Sequence, residues 1–207
     1  MNAFYCYLPT VIHVGMASTN KGTNMFIQTE STPNPATLKF LPGCNVMESG
    51  TANFTSQDEA KSSPLAINLF NMPGVTGVFL GADFITLTKT EDRDWDLLKP
   101  LVLGAIMEHF QSGKPVMTEA SSSDGSQDAK EDDSVIRQIK DLIDTRVRPA
   151  VAQDGGDIVY KGFDEGIVYL QMQGACAGCP SSTATLKHGI ENMLRHYVPE
   201  VEEVRAV

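Results

Sequence analysis

The chain has 207 residues, 42% hydrophobic and 20% charged, an ordinary balance for a globular protein and length enough for two domains that each bury a core. It holds no apolar run of about 18 residues, the length needed to span a bilayer, which argues against a membrane protein. A net charge of −10, with no concentrated basic face to offset it, repels phosphate backbones and argues against nucleic acid as a partner.

Residues 1–24, MNAFYCYLPTVIHVGMASTNKGTN, carry one Lys, no Arg and no acid. They lack the basic start of a secretory signal and the Arg-rich face of a transit peptide, although the apolar stretch from Phe4 to Val14 leaves a weak targeting signal. The expectation is a disordered extension, or sequence upstream of a start at Met25. MFIQTE (25–30) and ATLKFL (36–41) read as short strands around the turn-rich STPNP. SPLAINLF suits a short helix. GVFL and DFITLTK, separated by Gly81-Ala82, predict a hairpin over 77–89. Trp95, Leu98, Leu101, Val102, Ala105, Ile106, Met107 and Phe110 recur at helical spacing between Asp94 and Asp96 at the start and Gly113 and Pro115 after the end. Residues 25–117 should thus form a small α+β domain whose residues look structural.

TEASSSDGSQDAKEDD (118–133) has four Ser, six acids and one Lys, with no aromatic or large aliphatic side chain. It cannot bury enough apolar surface to offset its ordering entropy, so it is predicted to be a flexible linker. Its charge of −5 is half the total, so much of the acidity is solvated linker. A coil of 16 residues spans about 20–25 Å, enough for the two domains to move independently.

The remainder, 134–207, predicts the order α-β-β-α-β. SVIRQIKDLIDTRVRPAV places Val135, Ile136, Ile139, Leu142, Ile143 and Val147 on one helical face, with Asp132 and Asp133 at its N-terminal end and Gly155-Gly156 beyond its C-terminal end. DIVYKGF and GIVYLQMQ flank Asp164-Glu165-Gly166 as a second hairpin. After GACAGCPSS (174–182), Ser181 or Ser182 could cap a helix whose buried stripe is Leu186, Ile190, Met193, Leu194 and Tyr197. Pro199 ends that helix, and VEEVRAV can add a last strand. The fold class is α+β: two small α+β domains joined by an acidic linker.

Four cysteines, Cys6, Cys44, Cys176 and Cys179, are too few and too uneven for a secreted disulfide framework, which points to a reducing compartment. The Cys176-Ala177-Gly178-Cys179 loop before a helix has three chemical uses. A dithiol oxidoreductase would use the helix N-terminus to lower one thiol pKa, usually in a thioredoxin-like βαβ setting, whereas here a hairpin precedes the pair. A zinc site would need a second Cys or His pair, and His188 and His196 lie too far along the following helix. An iron-sulfur cluster most often takes four thiolates, and Ala177 and Gly178 leave room for sulfide and for amide donors. Two thiols per chain then imply two chains, because a twofold axis supplies each ligand twice. Spacing alone leaves the redox and cluster uses open.

The wider sequence bears on that choice. RPAVAQDGGDIVY followed by GACAGCPSSTATLKHGIENML closely resembles the C-terminal domain of NifU, the Nfu module of iron-sulfur scaffold and carrier proteins. FIQTESTPNPATLKFLPG, SPLAINLFNMPGVTGVFLGADFITLTK and DWDLLKP resemble the Nfu N-terminal domain. The resemblance runs from about Met25 to the C-terminus, interrupted by the linker. It implies a non-enzymatic carrier of a [4Fe-4S] cluster with Cys176 and Cys179 as the ligand pair, a cluster-bridged homodimer, upstream cluster-assembly proteins and apo iron-sulfur acceptors as partners. It implies a bacterial cytoplasmic location or, alternatively, the mitochondrial matrix. The rival from another class is a thiol-disulfide oxidoreductase using the same pair. Asp154, Gly155, Gly156 and Asp157 match the family's DGGD element and are expected to shape a turn. Cys44 and Cys6 fall outside the ligand motif.

Overall fold

Alternation of apolar and polar residues in the first half produces five strands: β1 (Gln28–Ser31), β2 (Thr37–Leu41), β3 (Ala52–Phe54), β4 (Val75–Leu80) and β5 (Ile85–Lys89). They form one antiparallel sheet in the order β1-β2-β5-β4-β3. The structure is a computed structural model that describes residues 26–118, 134–178 and 180–207, without the side chains of 180–182. The N-terminal extension with Cys6, the linker beyond Thr118 with Asp132 and Asp133, and Cys179 lie outside the described residues.

Two helices cover one face of this sheet. In α1 (Pro64–Phe70), Ser63 Oγ accepts from the Ala66 amide and Pro64 supplies a preset first-turn φ. In α2 (Trp95–Gln111), the Asp94 carboxylate accepts from the Asp96 amide. Phe40, Val78, Leu80, Ile85 and Leu87 from the sheet bury against Leu65, Leu69, Leu98, Val102 and Ile106. Each such side chain contributes about 1.5–3 kcal/mol by leaving water. Leu101 and Met107, expected on the buried stripe, are instead 56% and 36% exposed. At 3.6 residues per turn, Met107 falls almost opposite Val102 and Leu101 on the flank of the buried face. Strand β3 and a short 3₁₀ turn at Glu59–Ser62 were not anticipated, being too short to carry a periodic signal.

The second half contains α3 (Ser134–Leu142), α4 (Arg148–Gln153), β6 (Gly156–Asp164), β7 (Ile167–Gly174), α5 (Pro180–Tyr197) and β8 (Glu203–Ala206). The expected order holds, but its first helix is divided by a wide π turn at Ile143–Val147. Pro149 has no N–H to give the Thr145 carbonyl and its ring crowds that group, so the helix ladder cannot run straight through. β6 and β7 pair antiparallel around Glu165-Gly166, both with positive φ, the backbone that a tight two-residue hairpin needs. β8 returns parallel to β7 after the α5 crossover. Ile139, Ile143, Ile158, Val168, Leu170, Ile190, Leu194 and Val204 form the core, and Cys176 packs among them.

Two details of α5 differ from expectation. It starts at Pro180, so Ser181 and Ser182 lie inside its first turn rather than at its cap. Tyr197 is 40% exposed rather than in the buried stripe, because its ring packs under the Arg146 guanidinium at 4.7 Å and its hydroxyl accepts from Arg146 at 3.1 Å.

Candidate functional site

β7 runs out at Gly174, whose left-handed φ of 61° turns the chain into the cysteine loop. Ala177 N donates to Gly174 O and Ala175 N donates to Gly155 O, both at 3.1 Å, so the loop is stitched to the Asp154–Asp157 segment. Thr183 Oγ1 donates to Cys176 O at 3.1 Å and ties the loop to α5. Cys176 itself is only 6% exposed. A Cβ placed on Gly156 would fall 2.5 Å from its Sγ and 2.7 Å from Gln173 O, so the absent side chain at 156 creates the slot that holds the thiol. On the other side, a Cβ on Gly178 would meet nothing within 4 Å among the described residues.

Burial pushes the Cys176 thiol up to about 12, and the negative charges of Asp154 and Asp157 push in the same direction. The thiol in this state is therefore neutral at pH 7. A metal that competes with the proton can still draw out the thiolate, at the cost of releasing that proton.

Asp157 anchors the wall of the slot. Its buried carboxylate accepts a fork from Arg148, Nε at 2.9 Å and NH2 at 2.8 Å, and takes the Ile158 amide at 2.8 Å. Arg148 also reaches Asp144 at 3.3 Å, and these carboxylates hold its guanidinium firmly charged. The pair joins the first residue of α4 to the start of β6 and so fixes Gly156 against Cys176. Gly155, with φ of 83°, takes the left-handed backbone expected of the DGGD element. Asp157, by contrast, reaches beyond its own turn. Arg148 and Gly156 were not singled out from sequence as site residues; the nine-residue spacing of Arg148 and Asp157 crosses a helix end and matches no periodic template.

The two domains touch at this site. Lys39, Thr86 and Phe79 are cross-strand neighbours on β2, β5 and β4, on the sheet face turned away from α1 and α2. Lys39 Nζ donates to Gln153 O at 3.0 Å, Thr86 Oγ1 donates to Gly155 O at 2.7 Å, and the Phe79 ring lies 2.9 Å from where Gly174 would carry a Cβ. From the flanking loops, Asn34 Nδ2 donates to Ala177 O at 3.1 Å and Thr51 Oγ1 to Asp157 Oδ2 at 2.8 Å. None of these residues was picked out in the sequence, where up to 143 positions separate the partners.

Of the cysteines and histidines weighed from sequence, Cys176 is placed in this slot; Cys179 is its neighbour in the loop sequence but lies outside the described residues. Cys44 carries a free thiol in the loop after β2, half-buried and pushed up by that burial. His188 and His196 are exposed on α5.

Comparison with known proteins bears directly on this loop. Residues 27–113 match the family described as scaffold protein Nfu/NifU N terminal, and residues 139–205 match the NifU-like domain family. The chain is 54% identical over 184 residues to the human protein named NFU1 iron-sulfur cluster scaffold homolog, mitochondrial, covering 88% of this chain and 72% of that protein. It is 52% identical over 185 residues to the protein of the same name from Drosophila sechellia, covering 89% of this chain and 65% of the relative. Among solved structures, the NifU-like protein of Saccharomyces cerevisiae aligns over 46% of this chain and 86% of its own, at 28% identity and a TM-score of 0.42.

Proposed function

This chain belongs to the Nfu/NifU iron-sulfur cluster scaffold family, and from that premise we propose that it carries a [4Fe-4S] cluster between the Cys176-Cys179 pairs of two copies and delivers it to apo iron-sulfur proteins. The observation that carries this reading is the glycine-walled slot: Gly156 leaves no side chain between β6 and the Cys176 thiol, and no described residue crowds Gly178 beside it. Such a loop has room for bulky sulfide and for backbone amides that donate to it. The cluster is cargo rather than a resident group, since a site shared at a subunit interface opens to an incoming acceptor by ligand exchange. The role is that of a carrier, with no catalytic residue assigned.

The oxidoreductase alternative is disfavoured by the same geometry. A nucleophilic thiol for disulfide exchange needs a lowered pKa and access to substrate, whereas Cys176 is buried and its pKa is raised. Because the relatives are named mitochondrial, the mitochondrial matrix is favoured over a bacterial cytoplasm. Upstream assembly proteins would load the cluster there and apo proteins would receive it.

Anaerobic reconstitution with iron and sulfide tests the reading. Loaded protein should approach about two irons per chain and run as a dimer, reverting towards monomer when the cluster is chelated. Four irons on a monomer, with no change in size, would overturn the shared site, because other residues would then have to serve as ligands.

A further inference from the structure

The N-terminal sheet presents a built surface to the cysteine loop. Its cross-strand row of Lys39, Thr86 and Phe79 is almost wholly buried, at 7%, 1% and 1% exposure. Polar side chains buried on a sheet face need partners, and these find them in backbone carbonyls of the other domain. Lys39 is the clearest case. Its ammonium reaches the carbonyl of Gln153, the last residue of α4, where the negative end of the helix favours a cation. Glu30 at 3.2 Å and the Phe84 ring at 4.9 Å from the centroid steady the same ammonium. Thr86 takes Gly155 O, Asn34 takes Ala177 O, and Thr51 completes the hydrogen bonds of Asp157. The contacts therefore bracket Cys176 from both sides, through 153–157 and through 177.

We propose that this face of the N-terminal sheet is a cap for the cysteine loop of its own chain, and that a docked cap and a shared cluster exclude one another. The inference rests on the proposed shared-cluster function. A site built from two copies must bring its thiols to a common surface. Here Cys176 is turned inward against Gly156, and the loop carbonyl at Ala177 is held by Asn34. Loading thus requires the sheet to lift and the loop to turn its thiol outward. The freed face, with Lys39 and Thr86 stripped of their carbonyl partners, is then available to other backbone acceptors. While docked, the cap holds the segments on either side of the thiol in place.

Covalent labelling of the full chain tests this in two arms. In the first, metal-free protein is treated with iodoacetamide and Cys176 modification is followed by mass spectrometry. Thr86→Arg, a wedge that the sheet tolerates only with its face in solvent, should speed labelling of Cys176 by about tenfold or more, and Lys39→Met should do so by a smaller factor. Equal rates in wild type and in whichever of these variants folds would overturn the cap. The second arm uses the wild-type chain alone, so it stands even if both variants misfold. Acetic anhydride should modify Lys39 slowly in metal-free protein and about tenfold faster after reconstitution with iron and sulfide. Unchanged Lys39 labelling in protein that visibly holds a cluster would overturn mutual exclusion. Failure of wild type to take up any cluster would instead strike the proposed function, while the iodoacetamide arm would still decide whether the cap exists.

Discussion

In the five-stranded sheet, the core against α1 and α2 is complete without a cysteine: Phe40, Leu80, Ile85, Leu87, Leu65 and Ile106 are fully buried. In the three-stranded sheet, Cys176 is itself one of the buried residues, packed with Val168, Leu170 and Leu194. The N-terminal domain therefore separates the residues that hold it together from those that touch the site, which lie on its opposite face. The C-terminal domain asks one residue to do both. Its fold must register any change that turns Cys176 outward, while the N-terminal core should be indifferent to it.

The largest expected effect comes from Cys176→Ala. In the proposed shared site symmetry repeats the change and would remove two of four ligands at once, so both cluster and cluster-linked dimer should disappear in iron analysis and size-exclusion chromatography. Cys44→Ser, in the other domain, should leave both unchanged. Loss of the cluster in the Cys44 variant would break the separation between the domains. Next in size, Leu65→Ala in the fully buried N-terminal core should cost about 2–5 kcal/mol in the unfolding of that domain. The iron content per chain should stay as in wild type. A parallel loss of iron would mean that the two cores are not independent.

Much of this arrangement was legible in the sequence because it is local. The hairpin over 77–89, the acidic start of α2 at Asp94, and the β6-β7 hairpin all announce themselves within a few residues through alternation, charge at a helix start and turn glycines. Cys176 stood out as a candidate because a thiol pair in a small-residue loop has few uses, and the resemblance of the wider sequence narrowed them. What the sequence did not disclose is pairing over distance. Nothing in the neighbourhood of Lys39 or Thr86 says that carbonyls more than 60 residues away will meet them. The break at Ile143–Val147 was hidden for a different reason: the apolar periodicity continues through it, and only the missing amide of Pro149 betrays it.

A smaller effect sharpens the account of the site wall. Arg148→Met leaves the buried Asp157 carboxylate without its fork, keeping, among the described residues, Thr51 and the Ile158 amide. The domain should lose about 1–3 kcal/mol in denaturant unfolding. Cys176 should also label faster, because Gly156 is no longer pinned against it. Full stability with unchanged labelling would show that Asp157 needs no cation.

The smallest effect is a pH slope that should belong to one domain alone. His109, in the last turn of α2, is 5% exposed, and its Nε2 has no hydrogen-bond partner among the described residues. Burial, helped by the positive charge of Lys114, holds its pKa below the usual value near 6.5. A helix C-terminus ordinarily favours a cation, but here desolvation outweighs the dipole. The sign follows from proton binding. Below about pH 6.5 the unfolded chain takes up a proton at this position that the folded domain resists, so stability present above that pH is lost as the pH falls towards the lowered folded value. Between about pH 7.5 and 5.5 the N-terminal domain should lose more melting temperature than a His109→Leu variant does. In the C-terminal domain both histidines, His188 and His196, are exposed on α5. Its unfolding over the same interval should therefore be untouched by the His109 change. Equal slopes in wild type and His109→Leu would mean that the ring is protonated in place, with an acceptor or water reaching Nε2 that the packing of α2 does not provide.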